Sequence, residues 1–460
     1  MKELSFRLNP YTFVRNYSDG YYLENQVSHM RAFLPKDKFE WLESIGIHNT
    51  LSSIYEILVD SVEIEKTMLQ LHKAWLIDII GIPVTLERRF SYAHKAEIEH
   101  RFGDYPFIGI KNESEVPCLI NLQIELTDVC NEHCIHCYLP NEKKDKGNAL
   151  SVEQVIEILQ QFRAMNGLKV VFSGGEILLH ANLFEILEEC KRLNLMILLQ
   201  SNLLSLTEAN LKKIKELDVF NVQVSLYSTD EQIHESITRR KGSFERTKRN
   251  IEMLVKNDIP AMISCPVMSQ NVSTVRSLHK YAQSLGVDVY FDFMMMAECN
   301  GKNDNLSVRI NLEQTKDMLQ FRIDSQPKFI EAIANSNTLA EALSKRYARR
   351  RTMCDILSAS LCIDSDGTVY PCPGWNGMKM GNIASSSIKN IWLSEQANKL
   401  RAINIDEFAT CKSCDLYNFC DMCAVYNFNE NGDVYSACSR FCEMAKILKE
   451  CVIKKYFQLH

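Results

Sequence analysis

The sequence predicts an α/β fold, in which a partial parallel barrel is flanked by a small α+β domain and a cysteine-rich carboxyl-terminal region. Apolar strands and amphipathic helices alternate through the middle of the chain, which is the pattern of a repeated strand-helix unit. Ten of the 17 cysteines lie between Cys354 and Cys451. Because 460 residues exceed what one hydrophobic core usually organises, we expect two or three domains.

The amino-terminal segment is predicted to form three strands followed by three helices, in a domain that ends near residue 82. The strands are predicted at residues 11–16, 20–24 and 30–34, because apolar residues there are separated by polar turn sequences. The helices are predicted to begin at Pro35 and to cover residues 53–59 and 63–77, where apolar residues recur at helical intervals.

The central region predicts six strand-helix units. Strands are expected at residues 119–126, 168–172, 195–199, 219–226, 261–267 and 287–293. Helices are expected between them at residues 151–165, 183–193, 207–217, 243–256 and 272–285. Six units make a partial parallel barrel, whose active site belongs at the carboxyl ends of its strands. A further helical segment is expected to reach about residue 351.

Charge and composition exclude some classes of function. A net charge of −6 argues against general nucleic-acid binding, and the basic run at residues 345–351 is expected to be a solvated helix face. The start of the chain lacks a secretory signal and no apolar run is long enough to span a bilayer, so we expect a cytoplasmic protein. In that reducing compartment, cysteines are expected to serve metal sites rather than disulfides.

Three cysteines directly after the first barrel strand have the spacing CxxxCxxC: Cys130, Cys134 and Cys137. Three thiolates on one loop can hold an iron-sulfur cluster and leave one metal without a protein ligand. A helix face is the alternative, since these positions share one side of a helix and cysteine is often buried, but the polar residues around them are poor helix formers. Zinc would prefer a fourth ligand, and His136 lies between two of the cysteines, where it cannot easily turn inward.

With this loop, the chain resembles the radical S-adenosylmethionine (radical SAM) superfamily, in which such a loop binds a [4Fe-4S] cluster. The resemblance implies that the open iron binds S-adenosylmethionine and that one-electron reduction generates a 5′-deoxyadenosyl radical, which removes a hydrogen atom from the substrate.

Three further segments resemble the cofactor-binding motifs of this family. Gly174, Gly175 and Glu176 resemble its GGE motif, which receives the amino group of the methionine: glycines permit close approach and a carboxylate suits an ammonium. Without the cysteine loop, the same residues would be interpreted as a turn. Ser225 resembles the serine that contacts the ribose, and Asn202 lies where relatives often carry Thr-Asn-Gly. The segment 233–244 is similar to the loop that follows the fourth strand in peptide-modifying members; no residue is assigned a catalytic role.

The carboxyl-terminal cysteines resemble those of a SPASM domain, which holds two auxiliary [4Fe-4S] clusters. The resemblance implies that one cluster binds Cys354, Cys372 and Cys423, and that the other binds Cys411, Cys414, Cys420 and Cys438. Only two residues separate Cys420 from Cys423 where the family usually has three, so Cys362 or Cys442 could replace Cys423. Zinc is the alternative for the whole array, but five residues between the CxxC pairs is short for a zinc ribbon.

Two acidic residues near these cysteines lie in a predicted turn. Asp364 and Asp366 superficially resemble calcium ligands, but an Asp-Gly pair between apolar residues predicts a hairpin turn.

The amino-terminal strands and helices resemble the RiPP recognition element, a winged-helix-like domain that binds the leader of a ribosomally made precursor peptide. An exposed third strand near residues 30–34 could accept the leader as an added strand. An ordinary oligomerisation domain is the alternative.

Taken together, the resemblance implies a radical SAM peptide maturase of the sactipeptide or ranthipeptide kind, which forms cysteine thioether crosslinks. The implied partners are a precursor peptide and an electron donor such as flavodoxin or ferredoxin, without nucleic acid or membrane. A peptide epimerase, a carbon-carbon crosslinking enzyme and a formylglycine-forming enzyme are the alternatives within the family. A non-catalytic zinc or iron-sulfur protein is the alternative from another class. The expected regions are a recognition element at 1–85, a linker at 86–117, the barrel at 118–300, a helical bridge at 301–350, the SPASM domain at 351–445 and a terminal helix at 446–460.

Overall fold

A computed structural model describes residues 2–18, 20–28, 30–36, 54–59, 62–82, 116–347, 357–375, 377–403 and 407–460. Its amino-terminal part contains two three-stranded antiparallel sheets, with strand orders β5-β1-β6 and β2-β3-β4. The elements are β1 (Lys2–Leu8), β2 (Thr12–Asn16), β3 (Gly20–Asn25), β4 (Arg31–Pro35), β5 (Tyr55–Val59), α1 (Val62–Lys73) and β6 (Ile77–Ile79).

The three strands predicted near the start of the chain are confirmed as β2, β3 and β4, whereas the helix predicted at residues 53–59 is wrong. That segment is β5, which pairs along β1 from Lys2↔Val59 to Phe6↔Tyr55. The predicted third helix also ends earlier than expected, because β6 begins at Ile77. Most of the helix predicted after Pro35 falls on residues 37–53, which lie outside the described part of the chain.

The β2-β3-β4 sheet packs against the amino-terminal end of the barrel. The buried guanidinium of Arg15 donates through Nε to the carbonyl of Gly167 at 2.9 Å and through Nη2 to the carbonyl of Asn194. The carboxylate of Glu24 accepts a hydrogen bond from Lys169 Nζ at 3.1 Å, and both residues are buried. This sheet therefore closes the end of the barrel opposite to the expected active site.

The barrel is confirmed: six parallel strands run in the order β12-β11-β10-β9-β8-β7. Its elements are β7 (Asn121–Thr127), α2 (Asn141–Lys146), α3 (Val152–Ala164), β8 (Lys169–Gly174), α4 (Leu183–Arg192), β9 (Met196–Ser201), α5 (Glu208–Glu216), β10 (Asn221–Ser225), α6 (Glu231–Thr238), α7 (Ser243–Lys256), β11 (Ala261–Pro266), α8 (Val275–Leu285) and β12 (Asp288–Asp292).

The two faces of the barrel sheet differ in polarity. On one face, Leu122 and Ile124 of β7 belong to the large apolar core together with residues of the surrounding helices. On the other face, polar side chains bond across neighbouring strands: Gln123 Nε2 donates to Ser173 Oγ at 2.8 Å, and Gln200 to Gln223 at 3.1 Å. The lumen is therefore lined by hydrogen-bonding groups, which suits a polar ligand.

The remaining elements are α9 (Leu312–Ser325), α10 (Pro327–Ala334), α11 (Leu339–Ser344), β13 (Ser360–Ile363), β14 (Thr368–Tyr370), β15 (Gly381–Asn382), α12 (Ile388–Trp392), α13 (Glu395–Arg401), α14 (Ala424–Asn431) and α15 (Ser439–Leu459). The hairpin β13-β14 continues the barrel sheet, because β13 pairs in parallel with β7 from Ser360↔Asn121 to Ile363↔Ile124. Helix α15 runs without a break through the domain boundary expected at residue 445. Among the described helices, none combines the length and apolar character of a membrane span.

Candidate active site

The cysteine loop, defined as residues 128–140, follows β7 at the carboxyl end of the barrel. Its backbone is tied to the end of α6: the amide of His133 donates to the carbonyl of Thr238, and that of Ile135 to the carbonyl of Ile237, each at 3.0 Å. The segment after the fourth strand, singled out in the sequence, thus supports the loop that carries Cys130, Cys134 and Cys137.

The two glycines at the end of β8 leave room for the backbone at the start of the cysteine loop. Gly174 has a φ of +125°, and a Cβ there would collide with the carbonyl oxygen of Thr127; a Cβ on Gly175 would collide with the backbone of Val129. The amide of Gly175 donates to Thr127 at 2.6 Å and that of Glu176 to Val129 at 2.8 Å. The sequence assigned these glycines to close approach of a ligand, whereas the structure fills that space with loop backbone.

The thiols of Cys130, Cys134 and Cys137 lie close enough to affect one another's ionisation. Burial raises the pKa of Cys130 to about 11 and that of Cys134 well above its usual value, and the neighbouring thiols add to both shifts. Burial lowers the pKa of Lys144, but the three sulfurs raise it by more, so its ammonium lies among them. Three soft donors near one another on one loop suit an iron-sulfur cluster.

That fit rests on the chemistry of the donors. In the part of the chain that the structure describes, no group of three His, Cys, Asp or Glu side chains has the geometry of a ligand set for a single metal ion.

Glu176 ties the glycine turn to the next strand. Its buried carboxylate accepts from Ser201 Oγ at 2.6 Å, from the amide of Leu178 at 3.0 Å and from the amide of Asn202 at 2.7 Å. The Nδ2 of Asn202 in turn donates to Asn131 Oδ1 in the cysteine loop at 2.6 Å. Burial raises the pKa of Glu176, while these donors oppose the shift. Asn202 and Glu176 therefore position the cysteine loop.

An aromatic stack lies beneath the cysteine loop and was missed by the sequence analysis. Tyr227, two residues after Ser225, places its hydroxyl 3.8 Å from Cys134 Sγ. The ring of His136 packs edge-on against that of Tyr227 with 4.8 Å between centroids, and the ring of His234 stacks on that of Tyr227 with 5.4 Å between centroids. Burial lowers the pKa of both histidines to about 4, so both are neutral at pH 7. The sequence feature that could have identified Tyr227 is its position as an aromatic residue just past the end of a barrel strand.

A buried ionic cluster joins the cysteine loop to the β13-β14 hairpin. Lys143 Nζ lies 2.6 Å from both oxygens of Asp364, 3.8 Å from Glu125 and 3.6 Å from Asp128. Tyr138 donates to Glu125 at 2.5 Å. Burial, and after it the neighbouring Asp364, raises the pKa of Glu125 to about 7. The predicted hairpin is confirmed, but Asp364 has a role that the sequence did not indicate: it holds the lysine that follows the cysteine loop.

A cavity of about 490 Å³ lies against the cysteine loop. Cys134 and Cys137 line it together with Arg239, and charged residues of α2 and of the segment after β12 complete the wall. Among them, Lys302 and Glu142 form an ion pair at 2.9 Å. The loop is therefore reachable from a polar, charged opening.

Comparison with known families agrees with this arrangement. The sequence model of the radical SAM superfamily matches residues 124–295, which span the cysteine loop and the barrel. Residues 124–295 of this chain are therefore a radical SAM domain. A second model, SPASM, described as an iron-sulfur cluster-binding domain, matches residues 354–415. Together, the two domains imply an enzyme that binds iron-sulfur clusters and S-adenosylmethionine.

Two proteins of similar sequence differ in what they make. The antilisterial bacteriocin subtilosin biosynthesis protein AlbA of Bacillus subtilis is 27% identical over 338 residues, covering 72% of this chain and 70% of AlbA. The AdoMet-dependent heme synthase of Methanosarcina barkeri is 26% identical over 298 residues, covering 60% of this chain and 83% of the synthase.

Solved structures of similar fold include SuiB of Streptococcus suis bound to its precursor peptide SuiA. It has a TM-score of 0.60 and 15% identity, and the match covers 93% of this chain and 97% of SuiB. The enzyme anSMEcpe with bound AdoMet has a TM-score of 0.58 and 18% identity, over 74% of this chain and 95% of that enzyme. At these identities the likeness shows a common fold.

The cysteines assigned to the first auxiliary cluster of the SPASM domain are only partly visible. Cys354 lies outside the described residues. Cys372 and Cys423 pack against the same apolar cluster around Trp375. Cys362 is buried in β13, and its pKa is raised well above the usual value by burial, then by Glu125 and by Cys372. Cys372 thus lies near both Cys423 and the alternative Cys362.

For the second auxiliary set of the SPASM domain, we propose Cys442 rather than the predicted Cys438 as a ligand. Burial raises the pKa of Cys442, and the thiols of Cys411 and Cys414 raise it further; Cys442 acts in the same way on Cys420. The buried Cys438 instead directs its thiol to Glu430 Oε2 at 3.4 Å. The sequence analysis assigned Cys438 to this set and considered Cys442 only as a replacement for Cys423; the two positions are one helical turn apart at the start of α15.

We therefore expect Cys442→Ser to lose about four iron atoms per chain, the content of one cluster, after anaerobic reconstitution. The matched variant Cys438→Ser is expected to keep the iron content of the unmodified protein. Iron and acid-labile sulfide analysis measures both. The reverse pattern would restore Cys438 as the ligand.

Proposed function

We propose that this protein is a radical SAM maturase that modifies a ribosomally synthesised precursor peptide, with a cysteine thioether crosslink as the expected product. The observation that carries the proposal is the convergence of the thiols of Cys130, Cys134 and Cys137 at the carboxyl end of a polar barrel that is continuous with the SPASM hairpin. The subtilosin biosynthesis relative and the fold of SuiB, which binds a precursor peptide, support a peptide substrate.

In this proposal, the cysteine loop holds one [4Fe-4S] cluster and the SPASM cysteines hold two more. When bound, the first cluster and S-adenosylmethionine supply abstraction of a hydrogen atom from an unactivated carbon. The glycine turn with Glu176 and Asn202, which hold the cysteine loop in place, would border the cofactor site together with Ser225. The sheet β2-β3-β4 closes the far end of the lumen, so solvent is kept from the reacting carbon on that side.

A crosslink is detected by weighing a short cysteine-bearing precursor after anaerobic incubation with the reconstituted enzyme. Joining a carbon to a cysteine sulfur removes two hydrogens: one leaves with the cofactor fragment, and the thiol proton leaves with one electron transferred to an auxiliary cluster. We expect that loss of mass together with resistance of the cysteine to alkylation. An unchanged mass with an inverted residue would indicate epimerisation. Loss of two hydrogens with a free thiol would indicate a carbon-carbon bond or oxidation of a serine to formylglycine, and reaction with a hydrazine, which labels only the aldehyde, separates these two.

We also propose that the amino-terminal region binds the leader of the precursor, with β4 as the strand that accepts it. Deleting residues 1–85 is a poor test, because Arg15 and Glu24 anchor this region to the barrel. Removing the leader from the peptide leaves the enzyme intact. Cleavage of S-adenosylmethionine is expected to persist while peptide modification falls about tenfold or more, since binding through a leader raises the local concentration of the core. Equal turnover of both peptides would contradict leader binding.

A further inference from the structure

A basic patch lies on the surface between α6 and α7. Six cations occur within residues 239–249, and only two acids occur within the longer stretch 239–252, which gives this stretch a charge of +4 in a chain of net charge −6. All but one of the six are exposed. None of them forms an ion pair within the described part of the chain. The basic patch consists of Arg239, Arg240, Lys241, Arg246, Lys248 and Arg249.

The cations on α7 share one face. A surface groove of about 440 Å³ is lined by Arg246, Lys248 and Arg249 together with Gly242, Glu245 and Glu252. Within the described residues, neither acid forms an ion pair with these cations at 4 Å, and the stretch 239–252 keeps a net charge of +4. Unpaired cations on one face produce a positive potential that extends into solvent.

The basic patch is directly connected to the cysteine loop. It begins one residue after Thr238, whose carbonyl accepts the amide of His133 at 3.0 Å. Arg239 itself lines the cavity that also contains Cys134 and Cys137. A protein seated on the patch therefore lies beside the end of α6 that supports the cysteine loop and beside the cavity that Cys134 and Cys137 line. Proximity to the cluster site favours electron transfer, since the rate of transfer falls steeply with distance.

We propose that the basic patch is the docking surface for an acidic one-electron donor protein of the flavodoxin or ferredoxin class. The inference rests on the proposed function, because only a reducible cluster in the cysteine loop needs such a donor. Redox partners associate through small, weak interfaces, in which complementary charge steers the encounter. A positive patch beside the site of reduction has the properties that such an encounter requires.

The test reverses three exposed charges, Arg240→Glu, Arg246→Glu and Arg249→Glu, and leaves the cavity-lining Arg239 and the partly buried Lys248 in place. The control reverses three exposed lysines elsewhere: Lys212→Glu, Lys215→Glu and Lys389→Glu. Each reconstituted protein is assayed for S-adenosylmethionine cleavage, once with dithionite and once with purified flavodoxin and its reductase. Titration calorimetry gives the Kd for oxidised flavodoxin at low and high salt.

We expect the patch variant to cleave S-adenosylmethionine at the control rate with dithionite, while its KM and Kd for flavodoxin rise about tenfold or more at low salt, the range typical of electrostatic steering. The difference is expected to shrink at high salt, because screening removes the attraction. Equal KM and Kd values in patch and control variants would overturn the inference. Weaker binding of the precursor peptide, with flavodoxin binding unchanged, would also overturn it and assign the patch to the substrate.

Carbodiimide crosslinking to flavodoxin tests the inference on the unmodified protein, so the result does not depend on whether a variant folds. Crosslinks at Lys241 and Lys248 are expected, and crosslinks confined to other lysines would overturn the inference. Failure of the unmodified protein to cleave S-adenosylmethionine with dithionite would instead refute the proposed function, so the two failures are distinguishable.

Discussion

Replacement of Cys130, Cys134 and Cys137 by alanine is expected to reduce S-adenosylmethionine cleavage to the level measured without enzyme. The three thiols are the donors that the cysteine loop brings around one position, and without them no iron can be held there with an open coordination site. The variant should also lose about four iron atoms per chain, the content of one cluster. Cleavage is measured by chromatography of 5′-deoxyadenosine after anaerobic reduction with dithionite.

Cys190→Ala is the matched control for this experiment. Cys190 is fully buried in α4, within the apolar core and away from the loop. Its replacement removes a thiol of the same chemistry, so full activity and iron content are expected. Full cleavage in the triple variant would refute the assignment of the cysteine loop. Zinc without sulfide in the unmodified protein would favour the non-catalytic alternative.

Lys143→Met is expected to destabilise the protein by about 3–5 kcal/mol near pH 8, the usual cost of leaving buried charges without their partner. The lysine lies within 4 Å of three acids, Asp364, Glu125 and Asp128, of which none is more than 4% exposed at its side chain. Because the cluster spans the barrel and the β13-β14 hairpin, its loss weakens both. Urea unfolding followed by circular dichroism measures the change in free energy.

Two comparisons make the Lys143 experiment specific. Lys146→Met on the same helix removes an exposed lysine and is expected to shift the free energy of unfolding by less than about 0.5 kcal/mol.

The pKa of Glu125 in the folded protein is about 7, above its ordinary value, so the folded state favours its protonated form. The stability that Glu125 contributes is present at low pH and is lost as the pH rises through 7. The cost of Lys143→Met should accordingly be smaller at pH 5, and equal unfolding of both variants at pH 8 would contradict the ionic cluster.

The barrel could be predicted because each of its strands and helices is specified by residues that are close together in sequence. Each predicted strand is an apolar run, and each intervening helix has apolar residues at helical spacing, so the order of strands followed from a parallel fold. The helix predicted at residues 53–59 failed for the opposite reason. This segment forms β5 because it pairs with β1, which lies some fifty residues earlier in the chain. The sequence analysis did not predict β1, so it could not predict the pairing.

The parts of the candidate site that belong to a sequence motif could be predicted. The contacts between residues far apart in sequence could not. The CxxxCxxC spacing identifies the three thiols, but the contact between Lys143 and Asp364 joins positions 221 residues apart. Neither has a distinctive neighbour in sequence. The choice between Cys438 and Cys442 likewise depends on how α15 packs over the CxxC pairs, which spacing does not encode.

The parallel pairing of β13 with β7 has a consequence for synthesis of the chain. Asn121 and Ser360 are register partners, yet the ribosome makes the second about 10–50 s after the first at ordinary elongation rates. Throughout that interval the outer edge of β7 exposes backbone donors and acceptors, which is a hazard for aggregation. We therefore expect the nascent barrel to depend on chaperones until the hairpin emerges, and fragments ending near residue 350 to be insoluble when expressed alone.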